Sequence, residues 1–136
     1  ANDEKLGLPI IHHPAYSGGF MSPGVSGIAD YLQLGLLPRI FGADMPIFVS
    51  YGGRFTFTED QCKRISSYIK HPFGLMKAAC PAPGGGVTDA RLNELVELYG
   101  NDTMFLDGVD MFRRGPDIEA NMAYFVERLS ELSKTN

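Results

Sequence analysis

The chain has 136 residues, a formal net charge of −4 and 44% hydrophobic residues, which suits one soluble globular domain over 1–136. Its 12 Lys and Arg are scattered, so neither nucleic acid nor an anionic membrane surface is an expected partner. No apolar run approaches the ~20 residues of a membrane span, residues 1–5 lack a signal-peptide pattern, and two cysteines without metal-ligand spacing fit a reducing compartment, the cytoplasm.

Residues 8–12 form the first strand candidate, with Pro9 near its start, and a loop rich in glycine, serine and proline runs over 14–27. Ile28, Tyr31, Leu32, Gly35, Leu36, Arg39 and Ile40 then recur at helical spacing up to Gly42. Pro38 is expected to kink or tighten the last turn of that helix, because proline has no N–H to donate. Residues 45–50 are the second strand and 51–55 its glycine-rich tip. Thr58 and Gln61 have the spacing of a capping box, and the helix they open should bury Cys62, Ile65, Ser66 and Ile69. Pro72 prevents its continuation.

In the third unit, the apolar run 75–80 reads as a strand buried on both faces, followed by Gly84-Gly85-Gly86. Thr88 is the expected N-cap of a helix that carries Leu92, Leu95, Val96 and Tyr99 and stops at Gly100. The fourth unit has a strand at 103–106, a tip at 107–110, and a helix from Pro116 through Ile118, Met122, Phe125, Val126 and Leu129 to about Leu132. Strand and helix alternating at ~30-residue intervals imply parallel βαβ units. The fold class is therefore α/β, with strands in the order 1-2-3-4 and helices on one face.

Ligands of such sheets lie beyond the carboxyl ends of the strands. All four ends here are polar, glycine-rich or both: His12 to Gly19, Ser50 to Arg54, Gly84 to Gly86, and Asp107 to Asp110. The opposite ends are short and plain. Three glycines just ahead of a helix let backbone N–H groups approach an anion such as phosphate; a tight turn without a ligand is the plainer alternative.

His12-His13-Pro14-Ala15 after the first strand, Gly42-Ala43-Asp44 before the second, Tyr51 to Phe55 after it and Pro81 to Gly86 after the third resemble the RuBisCO-like proteins. The likeness covers nearly the whole chain but only the C-terminal part of that family's large subunit. It implies a parallel (βα)4 half of a TIM-type (β/α)8 barrel corresponding to strands 5–8. The mobile lysine motif of true RuBisCO is not seen, so the likeness points to the non-carboxylating branch. The family further implies a divalent metal (Mg2+), a phosphorylated sugar-like substrate, enediolate chemistry and an oligomer.

Carried over residue by residue, the resemblance places His13 near the reacting carbons as the catalytic residue that shuttles a proton or polarises a substrate oxygen. Without the family, a histidine at a strand end is more often structural, and His12 should face the other way. Pro14 stands where true RuBisCO has a phosphate-binding arginine, which fits a monophosphate better than a bisphosphate. Arg54, the only cation of the second tip, is a candidate partner for phosphate or carboxylate; a plain surface arginine is the alternative. Gly85 and Gly86 match backbone phosphate donors, and Gly108 matches the first glycine of the fourth tip. Here the chain departs from its family: Asp107 and Asp110 flank Gly108-Val109, and a carboxylate repels phosphate unless it turns away or meets a cation.

The family's metal ligands, a modified lysine and two acidic residues on strand two, have no counterpart in these residues. Four units also fall short of the ~250 residues typical of a closed barrel. The expectation is a fragment, a truncated product or one half of an assembled barrel, associating through open sheet edges with itself or with the missing half. Two functions follow: part of an enzyme for metal-assisted enolisation, isomerisation or decarboxylation of a phosphorylated keto-sugar, or a non-catalytic domain that keeps an anion pocket.

Overall fold

Three short strands, β1 (Ile11–His12), β2 (Met45–Val49) and β3 (Ala82–Gly84), lie parallel in that order in a computed structural model that describes residues 7–21 and 27–135. Ile11 pairs with Met45, Ile47 with Ala82 and Val49 with Gly84. The fourth extended segment continues the order: Leu106 forms a parallel bridge with Gly84, while the Met104 and Leu106 N–H groups donate to the Pro81 and Pro83 carbonyls at 2.9 and 3.0 Å. The amino-terminal residues 1–5 and part of the 14–27 loop lie outside the described residues.

The helices over 59–70 and 92–99 bury the faces that their apolar periodicity marks, whereas Ile118, Met122 and Val126 of the last helix are exposed and its Phe125 is buried. A widened helical stretch (Tyr31–Leu36) runs into α1 (Leu37–Ile40), and α2 (Glu59–Lys70), α3 (Leu92–Tyr99), α4 (Val109–Arg113) and α5 (Ile118–Thr135) follow. The capping box of α2 is complete, with Thr58 Oγ1 accepting from the Gln61 N–H and Gln61 Oε1 from the Thr58 N–H. Its face of Cys62, Ile65, Ser66 and Ile69 is buried as the spacing requires. Cys62, Ile65 and Ile69 meet Phe48 of β2 and Leu92, Leu95 and Tyr99 of α3 in one core. There the Phe48 and Tyr99 rings pack edge to face, 5.8 Å between centroids.

Four expectations are corrected. The third strand is not 75–80: Leu75 is fully exposed, and pairing with β2 begins only at Ala82. The apolar run is a connection, and Ala82–Gly84, behind Pro81, pairs with β2 instead, with the Gly84 carbonyl accepting from the Ser50 N–H at 2.8 Å. Pro38 does not tighten the last turn of its helix. It sits in the first turn of α1, where no donor is required, behind a widened turn in which the Leu37 N–H reaches back to the Leu32 carbonyl. Thr88 makes no side-chain cap; a 3-10 turn (Asp89–Arg91) precedes α3, and the Asp89 N–H is taken by Asp110 Oδ2 at 2.9 Å. The fourth tip, finally, is not an open loop, because Val109 already begins α4.

Candidate active site

The glycine tips that follow β2 and β3 meet backbone to backbone. Gly85 and Gly86 have φ of 76° and 71°, which only glycine adopts without strain. A Cβ on Gly86 would stand 2.8 Å from the Tyr51 carbonyl oxygen, whereas one on Gly85 would touch only Val49, at 3.9 Å. The two glycines therefore do different things: Gly86 lets the tips touch, and Gly85 leaves a side open. The parallel bridge between Gly84 and Leu106 turns the Gly85 N–H toward the Leu106 carbonyl, whereas among the described residues no acceptor is bound by the Gly86 N–H.

Arg91, at the start of α3, closes this contact. Its Nη1 donates to the Tyr51 carbonyl at 2.7 Å and the Gly86 carbonyl at 2.9 Å, one from each tip. Glu94 holds the other edge of the guanidinium, with Nη2 to Oε1 at 2.7 Å and Nε to Oε2 at 3.3 Å. The Tyr51 hydroxyl also donates to Glu94, and its ring lies under the guanidinium at 4.5 Å. Burial, reinforced by Glu94, pushes the Tyr51 phenol up to about 12. Glu94 is held below the usual carboxylate range, first by Arg91 and then by Tyr51. No sequence signal pointed to this triad beyond the spacing of Arg91 and Glu94, since its decisive contacts span 40 residues of chain.

The acidic groups of the fourth tip turn to backbone donors. Asp107 Oδ1 accepts from the Asp110 N–H at 3.1 Å, and Asp110 itself accepts from Asp89 of the third unit. Asp89 is held in turn by the Tyr124 hydroxyl at 2.9 Å and by Arg114. Asp107 Oδ2 is buried without a partner among the described residues, and burial raises this carboxyl above its ordinary range.

The chain is 33% identical over 127 residues to ribulose bisphosphate carboxylase-like protein 1 of Rhodopseudomonas palustris, a match covering 93% of this chain and 33% of that relative. It is 32% identical over 123 residues to the 5-methylthioribulose-1-phosphate isomerase of Rhodospirillum rubrum, covering 90% and 31%. A crystal structure of a RuBisCO-like protein from Rhodopseudomonas palustris superposes with a TM-score of 0.78 at 34% identity, over 94% of this chain and 32% of that one. This chain belongs to the RuBisCO-like proteins. No family model matches it, and it spans about a third of the length of the curated relatives named here.

In this RuBisCO-like chain, the residues singled out from sequence all follow the carboxyl ends of neighbouring parallel strands, but they are not one cluster of contacts. His13 is exposed just past β1, its carbonyl accepting from the Ala15 N–H at 2.8 Å. His12 is half-buried, and burial followed by the charge of His13 lowers its pKa. Arg54 is exposed, with its guanidinium over Phe55 at 4.8 Å. Gly108 precedes α4 with φ of −117° and open space around its Cβ position, so its conformation does not demand glycine. Among the described residues no group of three or more His, Cys, Asp or Glu side chains is placed to hold a metal ion. The described residues do not fit the divalent metal that the family implies. No described helix is long and apolar enough to cross a membrane.

Proposed function

We propose that residues 1–136 are one domain forming the half of a (β/α)8 barrel that corresponds to strands 5–8 of RuBisCO-like proteins. In the completed, cytoplasmic enzyme, this half would bind the phosphate of a keto-sugar phosphate and move a proton during enolisation, isomerisation or decarboxylation. The observation that carries the reading is the joined pair of glycine tips at the carboxyl ends of adjacent strands, with the Gly86 amide left without an acceptor among the described residues. Donors fixed in advance bind an anion without the cost of reorganising them. Arg54 is proposed to add charge at the rim, Gly108 a further backbone donor, and His13 the imidazole that takes and returns a proton beside the carbonyl. That a relative is named for a 1-phosphorylated pentulose supports the substrate class.

The test is solvent exchange. A pentulose 1-phosphate incubated in D2O, with this chain assembled on the remaining barrel of a relative, should take up deuterium at the carbon beside its carbonyl, read by proton NMR. His13→Ala should abolish uptake and leave phosphate binding intact. Phosphate binding without any exchange in the wild-type assembly would favour the second reading, a non-catalytic domain that keeps an anion pocket. That reading draws its support from the missing metal-ligand cluster among the described residues. No phosphate binding at all would remove both.

A further inference from the structure

We propose that Arg91 is the positioning residue of the phosphate-binding loop, acting through the two carbonyls it holds rather than by touching the substrate. The inference rests on the anion reading above and deepens it. Arg91 bonds the Tyr51 and Gly86 carbonyl oxygens with a single nitrogen, while Glu94 fixes the rest of the fork. A trans peptide group is planar, with its C=O and N–H on opposite sides. Holding the Gly86 carbonyl on the guanidinium therefore sets the plane of the 86–87 peptide and sends the Val87 N–H away from Arg91. The same bonds keep two carbonyl dipoles, whose negative ends would repel an anion, on the Arg91 side. Glycine at both positions, each at positive φ, has no Cβ to bar other peptide orientations of this loop. A tether is what selects one of them.

Geometry also shows why lysine cannot replace this arginine. The planar fork meets two carbonyls and a carboxylate at once, whereas an ammonium is a compact point charge on a flexible stem. The crowding at Gly52, whose Cβ would collide with the guanidinium, shows that the surrounding backbone is shaped to the fork.

Isothermal titration with inorganic phosphate decides the matter, with melting curves recorded for each variant. Arg91→Lys keeps the charge and should weaken phosphate binding about tenfold or more, the scale typical of groups that orient a binding ligand from behind. Glu94→Gln, on the exposed side, should weaken it less and in the same direction. Should Arg91→Ala melt below the assay temperature, these two variants carry the test. Wild-type affinity in both, with cooperative melting retained, would overturn the positioning role and leave the anion site standing. If the wild-type chain itself binds no phosphate, the anion reading fails, and the inference with it.

Discussion

A Cβ placed on Gly86 would lie 2.7 Å from the Gly53 nitrogen, and one placed on Gly53 would lie 2.8 Å from the Gly86 nitrogen. The tips of two neighbouring units thus rest on each other's main chain, at a distance that real Cβ atoms do not reach. Gly86→Ala must both adopt a left-handed backbone and push two strand ends apart, and should cost about 3 kcal/mol. Gly85→Ala meets only the first penalty and should cost about 1 kcal/mol. Urea unfolding of the two variants measures the difference. Equal losses would mean that the tips do not bear on each other.

Gly85 also separates turn from ligand. The Cβ of Gly85→Ala would meet only Val49, at 3.9 Å, and would take up room beside the proposed anion, so phosphate affinity should drop more than stability does. Titration heats that match wild type in a folded Gly85→Ala variant would reduce the triple glycine to a turn.

Beneath the site, the Ser50 and Tyr99 hydroxyls are 3.0 Å apart and both side chains are buried, with burial raising the Tyr99 phenol well above its usual range. Tyr99→Phe leaves Ser50 without this partner and should cost about 1–2 kcal/mol. Adding Ser50→Ala should bring little further loss, because the orphaned group is then removed as well. A double-mutant cycle from urea melts reads this coupling, and strict additivity would contradict it.

The raised pKa of Asp107, caused first by burial, has a definite sign in stability. Its ionised form is disfavoured in the folded state, so its stabilising contribution is complete below the ordinary value of 3.8 and is lost as pH rises through the raised value. Asp107→Asn keeps an oxygen for the Asp110 N–H and removes the charge. It should therefore have the higher urea midpoint at pH 7, and its advantage over wild type should shrink as pH falls through the window down to 3.8. A constant difference across that window would show that Asp107 is not buried as described.

Among the described residues β1 has one strand neighbour in the sheet, β2, and Ile11 upon it is 54% exposed. An uncovered parallel edge with an apolar side chain promotes association. The chain is expected to associate at micromolar concentration, with itself or with the rest of a barrel, and Ile11→Lys should shift it toward monomer in light scattering. A monomeric wild type would oppose self-association.

What could be read from sequence were the features set by neighbours in the chain. The Thr58–Gln61 box, the four buried positions of α2, the stop at Gly100 and the parallel strand order all follow from periodicity, caps and crossover handedness, which act over a few residues or one βα unit. The motifs that betrayed the family were likewise short runs at strand ends. Tertiary structure decided which segment became the third strand. Residues 75–80 have the apolar composition, but Ala82–Gly84, which follows Pro81 and contains Pro83, is the piece that β2 can pair with. It also decided that Gly86 and Gly53 touch, that Arg91 reaches Tyr51 across 40 residues, and that Asp107 and Asp110 turn to backbone amides instead of facing an anion. Those choices depend on which main-chain donors and acceptors are brought together in space, and nothing in the local sequence encodes that.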